Sequence, residues 1–321
     1  MSNSLIEKQW LVERTRLNDF PEKQKKADAF FRELEKKNFT GLFDKVSDEM
    51  YFNGPGLSRS DMYNLHGSCL EKMKHNTYDA PVREEKQCFI DGDYQHRVVF
   101  QPDTLENFIS DGTIYMKAID LRGEQSKNVR ATKEYKQAKA QYLADGYKIV
   151  TTALYKEANA IAESIQKRFG DVLAHGYAEK VAYAIDPISG LLLKVKPDFI
   201  SLDDNDVITG IVDLKTTKDD PETFCRGLHK FGYHVQDVYY RKVLGLATNT
   251  DIEQFTFMCV EKEPPYLTYA VNCDDAYREI GATFIYHATT TLRDAITSNI
   301  WSGYKREYLA MPPQFLISQG E

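Results

Sequence analysis

Two carboxylates and a lysine stand at spacings that could do chemistry in the middle of this 321-residue chain. One apolar run, Leu191 to Ile200, carries Asp198 directly after Pro197; a second, Val207 to Leu214, carries Asp213 and is followed by Lys215. The polar stretch Asp203-Asp204-Asn205-Asp206 between them is a turn signal, so the segment predicts a β-hairpin. Strand alternation then puts Asp213 and Lys215 on one face, with Leu214 pointing into the opposite layer. Pairing across the hairpin brings Asp198 beside them. Two carboxylates so placed suit Mg²⁺ bound next to a reacting phosphate, since that ion takes oxygen ligands and keeps several waters. Such an ion lowers the pKa of bound water and stabilises charge building on phosphorus, and Lys215 would give the attacking water a positive neighbour. Asp-x-Lys alone also describes a solvated hairpin with ordinary surface charges. The Pro-Asp pair at hairpin distance is what points to a site.

Further residues could join it. His96 ends the stretch Gly92-Asp93-Tyr94-Gln95-His96, on a segment that reads as helix or strand; taken alone it fits a core or surface histidine. Glu179 lies where the chain enters Val181-Ala182-Tyr183-Ala184, a strand leading to the hairpin, and alone it reads as an exposed charge. Gln236 and Tyr240 are four apart and share one helix face, where an amide and a phenol could hold a phosphate or a water. The plainer reading is a helix whose tyrosine packs on the sheet.

The elements that must position these residues follow from periodicity. Residues 1 to 46 predict two helices divided near Pro21. A second unit opens at Gly54-Pro55-Gly56, with Ser58 to Asp61 reading as a helix cap. The run Arg122, Lys127, Arg130, Lys133, Lys136, Lys139 predicts a loop passing into a helix that reaches Leu143, either a solvated face or one wall of a DNA groove. Thr151 to Phe169 is an amphipathic helix with Leu154, Ala158, Ile161 and Ile165 on one stripe. Phe224 to Leu246 predicts helix, Phe255 to Val260 and Tyr266 to Val271 strands, and Ala276 to Leu292 a last helix. The order suggests an α/β core with helices on its flanks.

Composition sets outer limits. The chain is 42% hydrophobic and 28% charged, as in an ordinary globular protein, and has no apolar run of membrane-spanning length. Five scattered cysteines without a Cys-x-x-Cys pair argue against a zinc knuckle or a disulfide framework, and a reducing cytoplasm is the expected setting. A formal charge of −7 disfavours tight non-specific DNA binding, although a basic channel can exist on an acidic protein.

In order along the chain, Gly92-x-x-x-His96, Ala178-Glu179, Lys196-Pro197-Asp198, Asp213-Leu214-Lys215-Thr216-Thr217 and Tyr233-His234-x-Gln236-x-x-x-Tyr240 resemble the motifs of the PD-(D/E)XK nuclease superfamily. Within it they are similar to the exonuclease VIII (RecE-type) branch of phages and prophages. Leu57-Ser58-Arg59-Ser60 is similar to the Ile-Ser-x-Ser opening of that branch, and the likeness spans roughly residues 55 to 305. The resemblance implies a restriction-endonuclease-like core, with a central mixed β-sheet flanked by helices, over residues 47–321 and a helical extension over residues 1–46. It implies an Mg²⁺ site, with Mn²⁺ as a substitute, ligated by His96, Asp198, Asp213 and the backbone carbonyl of Leu214, with Glu179 as a further or water-mediated ligand. Lys215 would activate the attacking water, and Gln236 and Tyr240 would orient Lys215 or the scissile phosphate. It also implies digestion of double-stranded DNA from its ends, 5′ to 3′, leaving a 3′ strand for an annealing protein, and a ring-shaped homo-oligomer. A RecB-like nuclease acting on single-stranded or nicked DNA and a non-catalytic DNA-binding module of the same fold are the alternatives. The lack of a four-cysteine cluster speaks against the iron–sulfur type of the former.

Overall fold

The computed structural model describes residues 3–44, 46–79, 87–122 and 128–311. The chain opens with α1 (Asn3–Glu13) and α2 (Pro21–Lys36), and Pro21 takes the first turn of α2, where its missing N–H leaves no bond unmade. β1 (Gly41–Phe43), α3 (Asp48–Asn53) and α4 (Arg59–Tyr63) follow. Ser58 and Asp61 cap α4 reciprocally, side chain to backbone in both directions, so the expected cap is present. After α5 (Leu70–Lys74) come α6 (Gln87–Phe100), β2 (Phe108–Ser110), α7 (Asp111–Arg122), α8 (Lys133–Ala144) and β3 (Lys148–Val150). β2 and β3 form a small parallel pair of their own. His96 therefore lies on a helix, and the basic run does end in a helix, with Lys133, Lys136 and Lys139 exposed on α8. Lys127 and the side chain of Arg122 fall outside the described residues.

The core begins with α9 (Thr152–Phe169) and continues through β4 (Gly176–Ala178), β5 (Val181–Ile185), β6 (Leu192–Val195), β7 (Phe199–Leu202) and β8 (Ile208–Thr217). Then come α10 (Pro221–Gly227), α11 (Tyr233–Thr248), β9 (Gln254–Glu261), β10 (Thr268–Val271) and α12 (Asp275–Ser298). The main sheet has the order β10-β9-β8-β7-β4, with β8 and β9 parallel and the other neighbours antiparallel. A second sheet has the order β1-β5-β6. The molecule is thus α/β with a mixed central sheet between helical layers.

The expected hairpin is β7 and β8, joined through residues 203–207. The run from Leu191 to Ile200 is not one strand, however. Leu192–Val195 belongs to the smaller sheet and Phe199–Leu202 to the larger, and the chain changes sheets at Lys196-Pro197-Asp198. Proline cannot donate to a ladder, so the crossing falls where no ladder bond is needed. The helical stretch from Phe224 is also divided: a 3₁₀ turn, Leu228–Phe231, leads to Gly232 at φ +64°, and α11 starts afresh. A Cβ at Gly232 would lie 2.4 Å from the Tyr63 ring, so both the left-handed backbone and the close approach require glycine.

Alternation along β8 sorts its side chains between two layers. Val212 and Leu214 pack with Ile161 and Ile165 of α9, whereas Ile211 packs with Val235 and Tyr239 of α11. Asp213 and Lys215 project on the α11 side. The N-terminal helices share a third core with the small sheet, where Trp10, Phe31 and Leu34 meet Val181, Tyr183 and Leu192.

Candidate active site

The sheet crossing and the hairpin bring Asp198, Asp213 and Lys215 together. Asp198 Oδ2 accepts from the Leu214 amide at 2.8 Å, which ties the corner residue to the strand carrying the other two. Its Oδ1 lies 3.3 Å from His96 Nδ1, so α6 is drawn to the site as well. Lys215 Nζ forms an ion pair with Asp213 Oδ2, and Gln236 Nε2 donates to Asp213 Oδ1 at 2.5 Å. Asp213 is 3% exposed and Gln236 7%, so this carboxylate and the amide that holds it meet in a largely dry environment. Tyr240 is one turn further along α11, edge-on to Phe255 with ring centroids 5.8 Å apart. Ring packing fixes its position, and burial, with smaller contributions from Tyr51, Asp213 and Asp198, raises its hydroxyl pKa well above the ordinary value.

Electrostatics here is a contest between burial and neighbours. Burial pushes the Asp198 carboxyl up, yet His96, Lys215 and the Leu214 amide outweigh it and leave the group below its usual range. For Asp213 burial wins with help from Asp198, and the carboxyl is raised despite Lys215. Burial opposes charge on His96, but Asp198, Asp213 and Glu179 push its pKa up to about 9. Burial likewise opposes charge on Lys215, and the two aspartates reverse that, so Lys215 is a cation at neutral pH.

Glu179 differs from its reading as an exposed charge. It is held at φ +51°, its amide donates to the Asp198 carbonyl at 3.0 Å, and its carboxylate meets Lys196 Nζ at 2.6 Å. Lys196 also reaches Asp48 at 2.6 Å. A non-glycine residue in the left-handed region is strained, and such strain gathers at functional sites. Sequence reasoning missed Lys196 and Asp48, which sit 17 and 131 positions from Glu179. It also gave no role to Arg59, whose guanidinium donates to the Gly232 carbonyl at 2.7 Å and feels the charge of Asp213. Its one signal was a basic residue inside the Leu57-Ser58-Arg59-Ser60 motif.

Among the described residues, no three His, Cys, Asp or Glu side chains are gathered as a ready-made metal cluster. Each carboxylate instead has a protein cation: His96 for Asp198, Lys215 for Asp213, Lys196 for Glu179. A set of hard oxygen donors that must recruit three cations to balance its charge fits a divalent ion of the Mg²⁺ or Mn²⁺ type. The backbone adds to the fit. In a strand the N–H and C=O of one residue point to the same edge, so the Leu214 carbonyl projects on the Asp198 side, beyond the start of β7.

A mixed sheet that switches direction at an Asp-x-Lys strand, with a second acid at its corner, defines a nuclease-like fold of the PDDEXK class. The chain belongs to the family described as "PDDEXK-like domain of unknown function (DUF3799)", which matches residues 58–310. A search of curated proteins returned no match. Among solved structures, a protein of Eubacterium rectale named as a candidate exonuclease is similar at 14% identity and TM-score 0.49, covering 82% of this chain and 92% of its own. An alkaline exonuclease from Laribacter hongkongensis is similar at 11% identity and TM-score 0.28, covering 64% of this chain and 95% of its own.

Proposed function

We propose that this protein is a metal-dependent deoxyribonuclease that hydrolyses phosphodiester bonds of linear double-stranded DNA from its ends. The observation that carries the reading is the convergence of Asp198, Asp213, Lys215 and Gln236 on one buried patch. Asp198, Asp213, His96 and the Leu214 carbonyl would hold the ion, with Glu179 behind them. When bound, the ion supplies positive charge at the phosphate and a more acidic water. Lys215, whose ammonium form the two aspartates favour, would hold the attacking water by donating to it and set positive charge beside the developing phosphorane oxygens. Gln236 fixes the Asp213 carboxylate, which in turn fixes Lys215. Tyr240 walls the site on the α11 side. Buried Cys259, whose thiol is pushed up to about 12 by burial, is no nucleophile.

The finer reading follows the exonuclease VIII resemblance: 5′-to-3′ digestion in the cytoplasm, a 3′ strand passed to an annealing protein, and a ring of identical subunits around DNA. Residues 1–46 would form an extension seated on a nuclease domain of residues 47–321. Purified protein with linear duplex labelled at either end, closed circles and single strands, in Mg²⁺ or EDTA, tests this. Mononucleotide release from linear duplex 5′ ends in Mg²⁺ is the expected result. Preferential loss of single strands, or binding without cleavage in Mg²⁺ and Mn²⁺, would refute it.

A further inference from the structure

The face of α11 opposite Gln236 and Tyr240 carries a second arrangement of charge. Positions 238, 241, 242 and 245 line a cavity of about 550 Å³ with the turn before β9 and the first turns of α12. Its wall holds Arg241, Lys242 and Arg278 beside the apolar Val238, Leu246 and Ile252. Lys242 is committed to Asp186 at 2.7 Å, and Arg241 Nε donates to the Ile252 carbonyl.

Behind the two arginines lies Asp237, 1% exposed. Arg241 Nη1 and Arg278 Nε stand 3.8 Å from its two oxygens, too far for hydrogen bonds, and both oxygens are buried without a hydrogen-bond partner. Arg278 Nε is itself buried without a hydrogen-bond partner. A guanidinium has five donors; Arg241 spends Nε on the Ile252 carbonyl, and Arg278 spends Nη1 on the exposed Asp275 carboxylate at 2.9 Å. Asp237 offsets their charge from inside while their remaining donors are left for an anion on the cavity side.

We propose that this cavity binds a nucleoside phosphate, with the phosphate held by Arg241 and Arg278. Paired guanidiniums match phosphate oxygens in number and geometry. The space is far larger than a lone phosphate needs and lies in the range of small-molecule sites. Val238, Leu246 and Ile252 offer the base an apolar wall, and the carboxylates of Asp251 and Glu279 at the rim accept from sugar hydroxyls. The inference is independent of the nuclease reading, because no residue of that site takes part.

Calorimetry on the full chain in EDTA, with AMP, dAMP and inorganic phosphate as probes, tests it. Both nucleotides are expected to bind and phosphate to bind at least about tenfold more weakly, while the AMP and dAMP arms distinguish ribose from deoxyribose. Arg278→Gln should weaken nucleotide binding by roughly tenfold or more, the loss expected for a charge-assisted hydrogen bond. Ala282→Phe, at an exposed lining position, should block the cavity without touching any charge. The double variant Asp213→Asn/Lys215→Met, which disables the nuclease site without stranding a buried charge, should leave binding unchanged. The proposal is overturned if neither nucleotide gives heat, if Arg278→Gln and Ala282→Phe bind as tightly as wild type, or if the folded double variant no longer binds.

Discussion

Asp213 and Lys215 depend on each other for more than chemistry. Removing either leaves its partner charged and buried, which typically costs about 3 kcal/mol or more. Asp213→Ala should therefore abolish cleavage and also lower stability, and the double variant Asp213→Asn/Lys215→Met should regain stability while staying inactive. Urea unfolding beside an end-labelled duplex assay separates the two effects. Lys215→Ala should reduce turnover by about 100-fold or more, in the range of a lost oxyanion donor. His96 gives a pH test. Its folded pKa, about 9, lies above the ordinary imidazole value, so its contribution to stability is complete below about pH 6.5 and fades as pH rises through 9. In EDTA, wild type should lose melting temperature over that window and His96→Gln should not. For the same reason Mn²⁺ should bind more tightly, releasing fewer protons, as pH rises towards 9. A proton release that does not change with pH would remove His96 from the site.

At the scale of elements, Gly232 is the point where α11 is aimed. Gly232→Ala meets both an unfavourable φ and the Tyr63 ring, and a loss of about 1–2 kcal/mol together with weaker cleavage is expected, since Gln236 lies one turn on. Melting temperature and turnover measured on the same preparation check it. The hairpin, the Asp213/Lys215 alternation, the Ser58 cap and the stripe of α9 were legible because each is set by neighbours within a few residues. The division of residues 191–200 was not. Leu191 to Val195 is buried on both faces, so the run has no alternation to mark where one sheet ends and the next begins. The Glu179–Lys196–Asp48 chain was equally hidden, because ion pairs between distant segments leave no period in the sequence. Helical spacing also runs through residues 224–246 unbroken, and Gly227, where α10 ends, and Gly232, where α11 restarts, are the signs of the break.

For the whole molecule, the N-terminal helices are joined to the core by polar contacts as well as apolar ones. Glu13, 1% exposed, accepts from the Gly56 amide at 2.7 Å, and burial pushes its carboxyl up to about 7. Lys194, 2% exposed, donates to the carbonyls of Tyr51 and Gly54, and burial brings its ammonium down to about 7. Together they clamp the loop that leads through Leu57 to Arg59. Glu13→Ala would strand a buried amide and should cost about 2 kcal/mol, whereas Glu13→Gln keeps an acceptor and should melt nearer to wild type. Equal melting temperatures for the two variants would show that the contact contributes little.

The same layer bears on how copies of this chain behave in a crowded solution. Gln9 of α1 both accepts from and donates to the backbone of Leu192, as a neighbouring strand would, while the Leu57 amide donates to the same Leu192 carbonyl and the Leu57 carbonyl accepts from the Lys194 amide. The β6 margin of the small sheet is thereby covered by a side-chain amide and by the backbone of residue 57, which leaves fewer free groups for a foreign strand to pair with. A chain shortened past Gln9 would unseal that margin and become prone to self-association through it.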